Sequence, residues 1–207
     1  MCARWLRAAS RLMCMQAATI PARATSAASA AHLMLVSRAP LSQSQGVIPI
    51  AADLQDPASL EHALADLKPT HVFITTWSRQ ATEAENIRVN AAMVRNVLAA
   101  VRPAKSVEHV ALVTGLKHYL GPFEAYGKGS LPQTPFREEQ GRLDVENFYY
   151  AQEDELFAAA EKDGFTWSVH RPHTVTGVAV GNAMNMATTL AVYSLDDIGK
   201  HLVEACL

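Results

Sequence analysis

The residues most capable of chemistry in this sequence are two adjacent tyrosines, Tyr149 and Tyr150, and a lysine, Lys117. A tyrosine hydroxyl can donate a hydrogen bond to an oxyanion forming on a bound carbonyl compound. A nearby cation favours this by lowering the hydroxyl pKa from about 10. The usual source of this cation is a lysine four residues after the tyrosine, on the same face of the helix, in the pattern Y-x-x-x-K. Those positions hold Glu153 and Asp154, whose charges oppose that role, so a cation for this tyrosine would have to come from another segment.

Lys117 follows a run of apolar and β-branched residues, HVALVT at 109–114, that is typical of a buried parallel strand. Ligands of parallel α/β sheets bind beyond the carboxyl ends of the strands. This position favours a catalytic role for Lys117 over that of a solvated surface lysine. Tyr149 could instead be a packed aromatic residue, and we favour catalysis there too.

Strands and helices must alternate to position these residues, and from residue 46 they do. The predicted strands are 47–50, 71–75, 109–114 and 165–170. Helices are predicted after the N-cap Asp56 and Pro57, after Thr82 with Glu85 in a capping box, and over about 143–162. This alternation indicates βαβ units. The predicted fold class is α/β, a Rossmann-like parallel sheet with helices on both faces.

The N-terminal part departs from this pattern. Residues 1–52 contain no Asp or Glu but five arginines, and the first glycine is Gly46. No G-x-G-x-x-G is present, and an Ala/Ser turn such as 26–29 would crowd a pyrophosphate. We therefore expect the N-terminal Gly-rich unit to be incomplete.

The expected divisions of the chain follow from that reading. Residues 1–31 form an atypical basic segment, either a mitochondrial-type transit peptide or an artefact of the gene sequence. Residues 32–193 form the NAD(P)-binding Rossmann-like domain, and residues 194–207 form a C-terminal helix. The cytoplasm is the expected location, with the mitochondrion as the alternative.

Composition excludes several classes of function. The net charge of −2 gives no sign of a nucleic-acid partner, and no run of 18 apolar residues indicates a membrane span. The three cysteines show no C-x-x-C spacing, so a disulfide framework or zinc site is not expected. His170 and His173 lack a third spaced ligand, and we predict no metal site.

Three segments form a specific combination: TGLKHYLGPFEAYGKG at 114–129, NFYYAQEDEL at 147–156 and SVHRPHTVTG at 168–177. Together they resemble the progesterone 5β-reductase/iridoid synthase-like family of atypical extended short-chain dehydrogenase/reductases. The resemblance covers about 36–193 and fades after it, which implies that the C-terminal substrate region is incomplete. It implies NADPH-dependent reduction of the C=C bond of an enone, with Lys117 and Tyr149 as the catalytic pair.

The resemblance also implies a cofactor site. The expected residues are Arg38 at the 2′-phosphate, Asp53 and Leu54 at the adenine, Thr75, Trp77 and Thr114 at the strand ends, and Thr174 and Val175 at the nicotinamide. The expected partner is a small-molecule enone or carbonyl substrate, and a homodimer is one compatible assembly.

Two other functions stay open. The chain could be a non-catalytic Rossmann-like fragment or binding protein, because it lacks the Gly-rich turn. It could also be an NAD-dependent sugar epimerase or dehydratase. That function is disfavoured, because those reactions use the Y-x-x-x-K arrangement, which is missing here.

Overall fold

A computed structural model describes residues 11–15, 32–37, 47–122 and 134–173. Its strands are β1 (Arg11–Met15), β2 (His32–Ser37), β3 (Val47–Ala51), β4 (His71–Ile74), β5 (His109–Val113) and β6 (Thr166–His170). Its helices are α1 (Pro57–Leu64), α2 (Glu83–Val101), α3 (Lys117–Leu120) and α4 (Phe148–Asp163), and a 3-10 turn, Arg102–Ala104, follows α2. No helix in these described ranges has the length and apolarity needed to cross a bilayer.

The six strands form one parallel sheet in the order β3-β2-β1-β4-β5-β6. This is the strand order of the Rossmann dinucleotide-binding fold. In that fold the second and third strands are added on one side of the first strand, and the later strands are added on its other side. The α/β class and the parallel sheet are therefore confirmed. This topological switch point lies between β1 and β4, and the residues that follow β4 and β5 lie beside it.

Strand β1 lies within residues 1–31, where the sequence pattern predicted no strand. It pairs on both sides, with Met13 opposite Met34 of β2 and opposite Val72 of β4. The short apolar run LMCM was hidden by the arginine- and alanine-rich composition around it. The sheet thus begins earlier in the chain than expected, and the divisions at residues 31 and 193 stay predictions.

Helix α1 begins where the sequence predicted. Asp56 Oδ1 accepts a hydrogen bond from the N–H of Ala58 at 3.0 Å, and Pro57 occupies the first helical position. The helix is shorter than the apolar spacing indicated, because Leu67 lies beyond its end in a turn. The Leu67 N–H bonds to the carbonyl of Leu64 at 3.0 Å, and the side chain still packs on the core.

Helices α2 and α4 form the layer that supports the candidate site. The Thr82 hydroxyl accepts from the N–H of Glu85 at 3.2 Å, which confirms the predicted start of α2. Buried side chains of both helices pack with those of β4 and β5 in one apolar cluster that includes Val94, Val97, Val110, Leu112 and Leu156. Packing in this apolar cluster therefore holds both helices against strands β4 and β5.

Helix α4 starts later than predicted, at Phe148 instead of about Leu143. Asn147 is its N-cap, with extended backbone and a side-chain oxygen that accepts from the N–H of Tyr149 at 3.1 Å. Leu143 stays outside the helix, where its N–H donates to the Tyr150 hydroxyl at 3.0 Å. The later start places Tyr149 in the first turn of the helix, beside the ends of β4 and β5.

Candidate active site

Lys117 begins α3, a four-residue helical turn directly beyond β5. Its side chain is only 2% exposed, so it is not a solvated surface lysine. The ammonium Nζ donates to Oε1 of Glu83 at 2.5 Å and lies 4.9 Å from the ring centroid of Phe148. A carboxylate and an aromatic face thus hold the positive charge at the ligand-binding edge of the sheet.

Tyr149 reaches the same edge from α4. A Cβ added at Gly115 would lie 3.3 Å from the Tyr149 hydroxyl oxygen, which is tighter than ordinary van der Waals contact. Gly115 stands two residues before Lys117, so the hydroxyl contacts the backbone segment that carries the lysine. The structure therefore brings the two predicted catalytic side chains to one corner.

Tyr150 is held differently from Tyr149. Its hydroxyl donates to the carbonyl of His118 at 3.2 Å and accepts from the N–H of Leu143 at 3.0 Å. The side chain is buried and its ring packs edge-on against His118 at 5.6 Å. These contacts give Tyr150 a packing role and single out Tyr149 as the candidate hydrogen-bond donor to a substrate.

An aromatic wall, formed by the rings of Trp77 and Phe148, extends from Tyr149 toward the end of β4. The ring of Trp77 stacks on that of Phe148 at 5.6 Å, and Phe148 packs against Tyr149 at 4.2 Å. Three buried polar atoms close to this wall have no hydrogen-bond partner in the described part of the chain: Thr76 Oγ1, Asn147 Nδ2 and Gln152 Oε1. Buried polar groups are nearly always satisfied, so these atoms fit a ligand that is both aromatic and polar, such as a nicotinamide ring with its carboxamide.

The carboxylate four residues after Tyr149 is compensated. Glu153 is buried and accepts from Arg142 Nη2 at 3.0 Å and from Arg171 Nη2 at 2.7 Å. Burial lowers the pKa of the Arg142 guanidinium, but hydrogen bonds and charge from Asp154 and Glu153 outweigh it and raise that pKa. Two guanidinium groups therefore balance the negative charge that the sequence places beside Tyr149.

Among the predicted cofactor residues, Asp53 and Leu54 follow β3. The N–H of Asp53 donates to the Ser59 hydroxyl at 3.1 Å, and its Oδ1 accepts from the N–H of Gln55 at 3.0 Å. The Leu54 side chain is buried in the core, and its carbonyl accepts from Asn96 at 3.0 Å. Asp53 is thus the better placed of the two to meet an adenosine group, whereas Leu54 supports the turn.

The remaining predicted cofactor residues divide into two sets. Thr75 and Trp77 follow β4, and Thr114 follows β5, where its N–H donates to the carbonyl of His170 at 2.8 Å. Arg38, Thr174 and Val175 lie outside the described residues. No group of three or more His, Cys, Asp or Glu side chains within those described is arranged to hold a metal.

Sequence reasoning missed Glu83, the partner of Lys117, as well as Arg142 and Arg171. A carboxylate in the first turn of a helix normally reads as favourable interaction with the helix dipole. Nothing local distinguishes Glu83 from the nearby Glu85, because its partner is 34 residues away in the chain.

The strand order and this corner define a Rossmann-type, NAD(P)-dependent class of domain. The chain belongs to the NAD dependent epimerase/dehydratase family, whose family model matches residues 7–196. The chain is 44% identical over 155 residues to an (S)-8-oxocitronellyl enol synthase of Camptotheca acuminata, covering 73% of this chain and 39% of that protein. It is 44% identical over 152 residues to a 3-oxo-Delta(4,5)-steroid 5-beta-reductase of Arabidopsis thaliana, covering 72% and 38%.

These relatives confirm the resemblance drawn from the three segments. The chain spans 39% and 38% of the length of these two curated relatives. Among solved structures it is similar to the UDP-glucose 4-epimerase from Brucella ovis in complex with NAD, with a TM-score of 0.59 over 84% of this chain and 55% of that one. At 13% identity, that likeness shows the fold alone.

Proposed function

We propose that this chain is the core of an NADPH-dependent reductase that reduces the C=C bond of an enone. The observation that carries the proposal is that the segment directly after β5 holds both the buried Lys117 and Gly115, beside which the Tyr149 hydroxyl lies. The relatives support it through their names: one is an enol synthase and the other a 5-beta-reductase of a 3-oxo-Delta(4,5)-steroid, a conjugated enone.

In this proposal the protein stabilises charge that develops on the substrate oxygen. NADPH, when bound, supplies a hydride to the β-carbon of the enone. The Tyr149 hydroxyl donates a hydrogen bond to the carbonyl oxygen, where negative charge accumulates in the transition state. The Lys117 ammonium adds a positive charge at the same edge, where burial strengthens its effect.

The residues around the pair orient the cofactor. Trp77 and Phe148 form an apolar wall that excludes water. Thr76 and Asn147, whose buried polar atoms lack partners within the described ranges, would hold the polar edge of the nicotinamide. Arg38 and Asp53 would meet the adenosine half, and Thr174 and Val175 would follow the nicotinamide from the segment after β6. We also propose that the protein acts in the cytoplasm, with the mitochondrion as the alternative location, and that it forms a homodimer.

The test is turnover of the purified chain with NADPH and a 3-oxo-Δ4 steroid, followed by loss of NADPH absorbance and by product mass. We expect the product to gain two hydrogens, and we expect no NADPH oxidation with the matching saturated ketone. Conversion of a UDP-sugar with NAD, without enone reduction, would favour the epimerase alternative and overturn the proposal.

A non-catalytic binding function is the second candidate, because the sequence has no glycine before Gly46. Pyrophosphate affinity in this fold comes largely from backbone N–H groups at a helix start, which glycines make accessible. We expect a version with a Gly-rich turn introduced after β1, within residues 16–31, to bind NADPH at least roughly tenfold more tightly, the equivalent of one charge-assisted hydrogen bond. Calorimetric titration of both versions measures this, and equal micromolar affinities would contradict it.

A further inference from the structure

The carboxylate of Glu83 joins the starts of three helices. Its Oε1 accepts from the Lys117 ammonium at 2.5 Å, and the same atom accepts from the N–H of Phe148 at 2.9 Å. Its Oε2 accepts from Asn86 Nδ2 at 3.2 Å. Glu83 itself is the first residue of α2, Lys117 the first of α3 and Phe148 the first of α4. One carboxylate therefore connects the first residues of three helices.

Each of the two contacts on Oε1 has a separate physical reason. A buried ammonium needs a paired anion, and Lys117 is only 2% exposed. The N–H of Phe148 is one of the unpaired donors at the start of a helix, so Glu83 caps α4 from another element. Tyr149, the next residue, has its N–H bonded to Asn147 within the same turn. The turn that carries the tyrosine is thus tied to the group that holds the lysine.

We propose that Glu83 is the positioning residue of the candidate catalytic pair. Its carboxylate pairs with the Lys117 ammonium and, by also binding the backbone N–H of Phe148, fixes the place of that ammonium relative to the turn that carries Tyr149. The effect on turnover rests on the proposed function, whereas the effect on Lys117 itself requires neither cofactor nor substrate.

The first experiment measures the reactivity of Lys117 toward trace acetic anhydride in the full chain, quantified for each lysine by mass spectrometry. The reagent acylates only an amine that is released from its ion pair and accessible. We expect Glu83→Gln to increase labelling of Lys117 by at least about tenfold, because one charge-assisted hydrogen bond is weakened. The exposed Lys68 serves as the internal reference.

Glu85→Gln is the matched control for this experiment. Glu85 lies in the same helical turn and its side chain is exposed, so the variant makes the same change in charge and in helix-dipole interaction. We expect Lys117 labelling in this control to stay within about twofold of the native chain, since exposed charges interact weakly. Equal labelling of Lys117 in native and Glu83→Gln chains overturns the proposal.

The second experiment is a double-mutant cycle on kcat with Lys117→Met, Glu83→Gln and the double variant. If Glu83 acts through Lys117, the double variant should lose no more kcat than Lys117→Met alone. Losses that multiply would show a general packing role and contradict the proposal. The double variant lacks both the buried ammonium and its partly exposed partner carboxylate, so it contains no unpaired ion from this pair and its Tm should be close to that of the native chain.

The two experiments separate the failure of this proposal from the failure of the proposed function. A native chain without any enone turnover contradicts the proposed function, and the labelling result then decides the role of Glu83 by itself. Turnover combined with unchanged Lys117 labelling supports the function and overturns the positioning role.

Discussion

Two ionic clusters flank the start of α4, and they are built in opposite ways. On one side, the lysine Lys117 faces the carboxylate of Glu83, which also accepts a backbone N–H. On the other side, the carboxylate of Glu153 accepts from two arginines, Arg142 and Arg171. The first cluster places a cation on the segment whose Gly115 lies beside the Tyr149 hydroxyl, whereas the second encloses an anion. The residue four positions after a tyrosine therefore does not by itself decide the charge that the tyrosine meets.

The choice of cation accounts for the difference. The arginine guanidinium is a planar fork that holds carboxylates and stacks on rings, as Arg142 does over Tyr150 at 4.8 Å. The lysine ammonium is a compact point charge on a flexible stem, which suits a group directed at a reacting atom. We infer that the arginine cluster stabilises the fold and that the lysine cluster serves the chemistry.

The largest effect that tests this comparison is the loss of stability in Glu153→Ala. The variant removes the buried carboxylate that Arg142 and Arg171 share, and the loss of two charge-assisted hydrogen bonds, each worth about 1.5 kcal/mol or more, should cost about 3 kcal/mol. Denaturant unfolding measures the change. Asp154→Ala is the control, because Asp154 pairs with the same Arg142 at 2.7 Å but is exposed, and we expect less than about 1 kcal/mol there. Equal losses in both variants would contradict the structural role of the arginine cluster.

Tyr149→Phe tests the chemistry of the other side. We expect kcat for enone reduction to fall by ~100- to 1000-fold while NADPH affinity stays nearly unchanged, because the hydroxyl acts on charge that develops in the transition state. Steady-state kinetics and cofactor titration measure the two effects. Tyr150→Phe is the control, since its hydroxyl bonds to His118 and Leu143: it should lose stability and keep its turnover within about threefold. A drop confined to the Tyr150 variant would reverse the assignment.

Lys117→Met should have a smaller effect than Tyr149→Phe. We expect kcat to fall roughly 10- to 100-fold, which corresponds to one charge-assisted interaction lost in the transition state. Glu83 is partly exposed, so water can solvate its carboxylate when the lysine is absent. Lys68→Met, at an exposed position, is the control in the same assay. Activity of Lys117→Met within about twofold of the native chain would remove the lysine from the mechanism.

The sequence predicted the parts of the fold that depend on neighbouring residues. The cap at Asp56 with Pro57 and the cap at Thr82 are local signals, and both helices start there. The strands β3 to β6 were recognisable as short apolar or β-rich runs. The start of α4 was predicted too early, because the N–H of Leu143 bonds to a tyrosine hydroxyl that only the fold brings near.

The site was predictable only in part. Lys117 and Tyr149 were singled out by resemblance of the flanking segments, and the structure places both at the same strand end. Glu83 could not be predicted, because its contacts with Lys117 and Phe148 join residues 34 and 65 positions apart. The two arginines that compensate Glu153 come likewise from the loop before α4 and from the residue after β6.

The smallest effect concerns the kind of cation in the arginine cluster. We expect Arg142→Lys to lower the free energy of unfolding by about 1 kcal/mol and to leave kcat unchanged. A lysine keeps the charge, but it cannot reach Glu153, Asp154 and the carbonyl of Tyr150 at once, as the guanidinium does. Denaturant unfolding in low and high salt measures this change, and Arg137→Lys, at an exposed position, is the control. If Arg142→Lys matched the native stability, charge alone would hold Glu153 and the planar fork would have no part in it. If Arg142→Lys reduced kcat instead, the arginine cluster would be coupled to the lysine cluster through α4. The assignment of a structural role to one cluster and a catalytic role to the other would then be wrong.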